Sequence, residues 1–201
     1  NAAHYLRDGQ EVNVNGEDLF THYWSLEVEG LGEFEAFPNR DSVPYKELYG
    51  IDDTATMYRG TLRNKGWCDT LDKIAEFGFL SEEPRPVAGL TYAQFMRGLL
   101  PAEAMNTDNI KADVAAYLEV PPEGEIINNL AWLGLFDEAP LEIAGDQISP
   151  LDLLTKVMLD RMAYAEGERD LIILVHHFDA SYPDGKKEHI TSSLIAYGEP
   201  G

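Results

Sequence analysis

Three things are scarce in this sequence. It has one cysteine, Cys68, in 201 residues, which excludes an internal disulfide framework and any multi-cysteine zinc or iron–sulfur site. It has few cations: 15 Lys and Arg stand against 36 Asp and Glu, a formal charge of −21. Phosphate backbones and anionic leaflets repel such a chain, so neither nucleic acid nor a membrane surface is expected as a partner. It also lacks any apolar run near the ~18 residues a bilayer-spanning helix needs, and no basic-then-apolar leader opens it. The expectation is a soluble, cytoplasmic domain. The remainder is ordinary: 44% hydrophobic and 25% charged residues, on a chain long enough to bury a core without staples.

Period-2 and aromatic-rich segments at both ends predict strands, and a 3.6-residue period in the middle predicts helices. Strands are expected over 11–15, 20–28, 34–37 (ended by Pro38) and 54–62. Leu71, Ile74 and Ala75 recur at helical spacing behind Asp69, a candidate N-cap, and Gly78 fits the stop. Helices follow over 91–100, 107–118 (stripe Ile110, Val114, Ala115, Leu118) and 123–135. Ser149-Pro150 opens another, running to Met162. The run Leu171-Ile172-Ile173-Leu174-Val175 suits a strand buried on both faces, and Tyr182-Pro183-Asp184-Gly185 turns it into a hairpin with 189–197. The economical architecture is an α+β domain: one mixed, mostly antiparallel sheet with helices on one face and an all-helical insertion. Residues 1–80 with 164–201 would carry the sheet, and 81–163 the insertion.

Familiar motifs give little. Gly30-Leu31-Gly32-Glu33-Phe34-Glu35 superficially matches a dinucleotide fingerprint, but Glu35 stands where the third glycine belongs and a strand follows instead of a helix. No cofactor-binding loop is expected in this chain. His176 and His177 are strand neighbours pointing to opposite faces, so they cannot chelate one ion together; one is expected against the core and one in solvent. No metal site is expected. Cys68 reads as an inert, half-buried thiol.

Charge is distributed unevenly. From Pro38 to Gly66, Arg40, Lys46, Arg59, Arg63 and Lys65 outnumber Asp41, Glu47, Asp52 and Asp53, giving +1 where the other 172 residues carry −22. A guanidinium grips a carboxylate through two parallel hydrogen bonds, so arginines concentrated in an acidic chain suit an anion site. Local pairing, such as Arg40 with Asp41 or Asp52, would account for the same composition.

The segments 34–45 (Phe-Glu-Ala-Phe-Pro-Asn-Arg-Asp-Ser-Val-Pro-Tyr), Tyr49-Gly50-Ile51, Arg59-Gly60-Thr61-Leu62-Arg63 and Gly66-Trp67 resemble the saccharopine dehydrogenase family, nearest its glutamate-forming, saccharopine reductase branch. Leu133-Gly134-Leu135-Phe136, Glu166-Gly167-Glu168-Arg169-Asp170-Leu171 and the segment 191–198 follow in the same order. The resemblance is loose over 82–128. It implies the second domain of an NADP- or NAD-dependent oxidoreductase of lysine metabolism, without the Rossmann domain. The fold it implies is similar to the C-terminal domain of glyceraldehyde-3-phosphate dehydrogenase. That domain receives saccharopine and forms the homodimer, and the chain alone is expected to be inactive. By the same resemblance Arg40, Thr61, Leu62 and Arg63 are substrate-binding positions, with Asn39 and Arg59 as further candidates, and no catalytic residue is assigned. Saccharopine is a tricarboxylate with a secondary amine, which suits fork-shaped cations holding its carboxylates away from the hydride-transfer carbon.

Two other readings stay open. A sister enzyme forming polyamines (carboxynorspermidine or homospermidine type) would keep the fold, although a diamine end asks for carboxylates where this chain has arginines. A non-catalytic interaction module, docking a partner through the acidic helical insertion, would need no small-molecule site.

Overall fold

The computed structural model describes residues 2–199. The chain forms two units, the first taking in the chain up to Leu26 and Glu33–Arg161, the second Glu27–Gly32 and the chain from Met162.

In the first unit, β1 (Ala3–Arg7) and β2 (Gln10–Val14) form an antiparallel hairpin. Its turn uses Asp8 and Gly9, both at positive φ. The strands β3 (Trp24–Val28), β4 (Gly32–Pro38) and β5 (Gly60–Asn64) form a sheet in that order. β4 and β5 are antiparallel, in register from Phe34↔Asn64 to Pro38↔Gly60. Proline cannot continue the ladder, and β4 ends on it. Between them lies a five-residue helix, α1 (Tyr45–Tyr49), closed by Gly50 in the left-handed region. The strand expected over 54–62 forms only from Gly60; before it, Leu6 and Met57 exchange backbone hydrogen bonds that hold 54–59 as a loop.

The helices follow: α2 (Trp67–Glu76), α3 (Tyr92–Leu99), α4 (Ile110–Tyr117), α5 (Glu125–Trp132) and α6 (Pro150–Met162). Thr91 and Gln94 form a reciprocal capping box on α3. Asn109 caps α4 by accepting from Lys111 and Ala112, and Ser149 Oγ accepts from Asp152 N–H at 3.0 Å on α6. α2 starts at Gly66 instead of Asp69; Asp69 lies inside its first turn. Between these helices, β6 (Arg85–Pro86) pairs with β7 (Gln147–Ile148). The predicted stripe Ile110, Val114, Ala115 and Leu118 is buried. It joins Ile74, Phe79, Phe95, Met96, Ile127, Leu130, Leu135, Leu153 and Val157 in one core. No helix among the described residues is long and apolar enough to cross a membrane.

In the second unit, β8 (Leu171–Ser181) and β9 (Lys187–Tyr197) pair along their whole lengths as an antiparallel hairpin. Its turn is the expected one, with Gly185 N–H donating to the Tyr182 carbonyl. The side chains differ from expectation. Leu171, Ile172 and Leu174 are 41–50% exposed, and Ile173 and Val175 half-buried, so the run is not covered on both faces. His176 and His177 are both exposed, so neither is the expected core histidine. Two strands alone supply no second layer to cover them.

The α+β class holds, but among the described residues the single sheet is replaced by four small ones. Most of these strands are only two to seven residues long and offer a further neighbour few ladder bonds, while β8 and β9, eleven residues each, form a two-stranded sheet. Leu130 is 1% exposed in the helical core. Leu130→Ala should therefore lower the unfolding free energy by about 3 kcal/mol, read from the urea midpoint at unchanged slope.

Candidate functional site

The Pro38-Asn39-Arg40-Asp41-Ser42 loop is held from two sides. On one side, His4 N–H donates to the Arg40 carbonyl at 2.9 Å and Ser42 N–H to the His4 carbonyl at 2.7 Å, forming an isolated parallel bridge. On the other, Asn39 N–H donates to the Arg59 carbonyl, and Arg59 N–H to the buried Ser42 hydroxyl, each at 3.0 Å. Arg40 thereby sits at φ 59°, a left-handed conformation that costs a non-glycine residue of order 1 kcal/mol and persists because its neighbours fix it. The loop's own carboxylate faces elsewhere: Asp41 Oδ1 accepts from His4 Nδ1 and Val43 N–H, each at 3.0 Å.

β5 carries the second group. The Asn39 side-chain amide donates to Thr61 Oγ1 at 3.0 Å, joining the loop to the strand. Thr61 and Arg63 share a face of β5, opposite Phe37 and Glu35 of β4; half-buried Leu62 faces the other way, opposite Ala36. Arg63 Nη1 donates to the Leu62 carbonyl at 2.9 Å and its guanidinium lies 5.6 Å from the Trp67 ring centroid. Arg59 Nη1 donates to the Tyr45 hydroxyl at 2.8 Å, 5.3 Å from that ring. Both guanidiniums are thus oriented by aromatic and neutral oxygen partners, which leave their charge intact. Among the described residues, the arginines joined to carboxylates are Arg97 (with Asp113) and Arg161 (with Asp137); Arg40, Arg59 and Arg63 join none. The local-pairing account of the charge cluster therefore fails for all three.

Sequence reasoning missed the buried carboxylate beside them. Glu35, 4% exposed in β4, accepts from Gly66 N–H at 2.6 Å and Cys68 N–H at 2.7 Å. It satisfies amide donors left over at the start of α2, where a negative charge also meets the positive end of the helix dipole. A glutamate inside Phe34-Glu35-Ala36-Phe37 was the available signal. Gly66 is called for by its φ of 84°; a Cβ there would also displace the exposed Glu125 carboxylate. Tyr23 donates to Asp69 at 2.8 Å, a hydrogen bond to an anion that pushes the phenol well above its ordinary range. His4 and Tyr45, the partners that hold Asp41 and Arg59, were also missed.

Two cavities, of about 170 and 150 Å³, flank Gly66, Asp69 and Glu125. None of the six predicted residues lines either. The second includes Glu33, which is held in its charged form by Ser25 and Lys65. Among the described residues no three His, Cys, Asp or Glu are placed to hold a metal ion. Gly30-Leu31-Gly32 makes a strand-to-strand turn, with Leu31 N–H donating to the Val28 carbonyl, where a phosphate-binding loop needs a strand-to-helix turn. It does not fit a dinucleotide.

Cys68 is fully buried, and burial, with the neighbouring Glu35 carboxylate, pushes its thiol up to about 12. The native thiol should resist Ellman's reagent until the chain unfolds. An exposed cysteine titrates near ~8.5, so burial of the neutral thiol contributes fully below that pH and its contribution is lost as pH rises toward the native value. Stability measured between pH 8 and 11 should fall less steeply in Cys68→Ala than in the wild type.

The chain resembles known proteins over its entire length. The family described as saccharopine dehydrogenase C-terminal domain matches residues 1–201. An NADP(+)-dependent, L-glutamate-forming saccharopine dehydrogenase from Pyricularia oryzae is 33% identical across 100% of this chain and 45% of its own length. A mitochondrial alpha-aminoadipic semialdehyde synthase from Mus musculus is 29% identical across 98% of this chain and 22% of its own. The solved apo structure of the L-Glu-forming saccharopine dehydrogenase from Saccharomyces cerevisiae superposes with a TM-score of 0.85 at 28% identity, again over 100% of this chain and 45% of the other. The chain thus spans about half the length of the curated fungal relatives it matches.

Proposed function

Because the chain belongs to the saccharopine dehydrogenase family, through the C-terminal domain, we propose that it is the substrate-binding and dimerisation part of such an enzyme. The enzyme as a whole converts saccharopine, NAD(P)+ and water to glutamate and 2-aminoadipate 6-semialdehyde, or runs the reverse. NADP stands in the name of the Pyricularia relative, and the nicotinamide belongs to a part of the enzyme outside this chain. On this reading residues 1–80 and 164–201 bind substrate and partner, 81–163 is a helical insertion, and the fold is that of the C-terminal domain of glyceraldehyde-3-phosphate dehydrogenase.

The observation that carries the reading is the clustering of three guanidiniums, Arg40, Arg59 and Arg63, in one loop and the strand beside it, none joined to a carboxylate among the described residues, in a chain of charge −21. Saccharopine offers three carboxylates. Arg40 and Arg63 grip two of them, the hydroxyl of Thr61 and amide of Asn39 fix polar atoms between, and Leu62 packs behind the strand. Holding the substrate's ends in this way aligns its secondary amine for reaction and contributes positioning. In the full-length enzyme Arg40→Lys should cost about 2 kcal/mol of substrate binding, roughly thirtyfold in KM, because lysine cannot make the bidentate contact. Arg63→Lys should act alike, and the 201-residue chain alone should show no turnover. Unchanged KM in both variants would overturn the proposal.

The β8–β9 hairpin supports the dimerisation role. Ile172, Leu174, Phe178, Ile190 and Leu194 share one face of it, each 45–52% exposed, a surface that a partner subunit would cover. Leu174→Asp should convert a dimeric enzyme to monomers by sedimentation velocity; an unchanged dimer would remove the hairpin from the interface.

A further inference from the structure

Arg40 lies beside Asp41, which is the nearest candidate in sequence to neutralise it. The structure contains a device that prevents this. His4, on β1, reaches the loop through three contacts: its N–H to the Arg40 carbonyl, its carbonyl to Ser42 N–H, and its Nδ1 to Asp41 Oδ1 at 3.0 Å. Its Nε2 lies 3.4 Å from the Glu11 carboxylate, off the line of a hydrogen bond. The imidazole is the more enclosed partner, its side chain 26% exposed against 54% for Asp41. Asp41 Oδ1 is further fixed by Val43 N–H. Two donors thus engage Asp41 Oδ1, while the backbone bridge pins Arg40 at positive φ.

We propose that His4 is a positioning residue of the anion site: by holding Asp41 it keeps Arg40 unneutralised and aimed at a carboxylate of the substrate. This rests on the substrate-binding reading above and adds to it a residue that touches no substrate. His4 Nδ1 must carry the proton, since a carboxylate only accepts. Once released, Asp41 is a carboxylate one residue from a guanidinium, and an intramolecular partner competes with the ligand at a high effective concentration.

The test is a cycle in the full-length enzyme, with saccharopine as substrate and circular dichroism confirming the fold of each variant. His4→Ala should raise KM about tenfold with kcat changed less than twofold, as expected where ground-state binding is weakened. His4→Ala/Asp41→Asn should bring KM back to within about threefold of wild type, since asparagine can still accept from Val43 N–H but cannot neutralise Arg40. His4→Asn, which retains a side-chain N–H donor, should also recover most of the affinity. A residue that merely supports the loop gives the opposite sign: the double variant binds no better than His4→Ala, and that result overturns the inference. Should His4→Ala not fold, Asp41→Asn alone decides, because a KM at or below wild type is expected and a tenfold rise refutes the inference. Arg40→Ala separates the two claims. If it leaves KM unchanged, the substrate-binding reading fails; if it raises KM while His4→Ala does not, only the role of His4 fails.

Discussion

The strand pair and the helical layer of the first unit are joined by one buried carboxylate. Glu35 leaves the β4 ladder and takes the Gly66 and Cys68 amides at the head of α2. An ionised oxygen removed from water is costly unless it is bonded, and leftover helix amides supply what it needs. Much else follows from that junction. It sits where β5 gives way to α2 at Gly66, whose φ is 84°, and it adds to burial in keeping Cys68 a neutral thiol. It also spends the carboxylate that the β4–β5 register sets opposite Arg63.

The second organising fact is how the arginines of the cationic segment are held, whereas its Lys65 is paired with the Glu33 carboxylate. Tyr45 receives Arg59, the Leu62 carbonyl receives Arg63, and His4 receives Asp41. Each contact orients a side chain without cancelling the charge of an arginine. In an acidic chain this is the distribution that leaves local positive potential for an anionic ligand, and preorganised groups lose less entropy on binding.

Legibility followed range. The α4 stripe of Ile110, Val114, Ala115 and Leu118 could be read directly because its period is local, and the Ser149 cap because its partner is three residues away. The Pro-Asn-Arg-Asp-Ser loop could be singled out as chemistry but its wiring could not: His4 and Asp41 are 37 residues apart, and Glu35 and Cys68 are 33. Such pairs arise from tertiary contact, which leaves no periodic trace. β2, β3, β4, β8 and β9 were recognisable while β1, β6 and β7 were not, and the association of the strands could not be read, since a short strand's composition says it will pair and not with which neighbour. The run at 171–175 misled for a related reason: apolarity records that a surface is covered, and is silent on whether the cover comes from the same chain.

An extended backbone advances about 3.3 Å per residue, so the four steps from Arg59, the last loop residue before β5, to Arg63 within it span at most roughly 13 Å. Stacking on Tyr45 at one end and Trp67 at the other restrains how far either head group can swing inward. On the substrate-binding reading proposed above, with Arg59 joining Arg63 as a further contact, the segment would act as a gauge: a molecule would need well-separated negative termini to engage both ends, and a compact dicarboxylate would be held at one of them only.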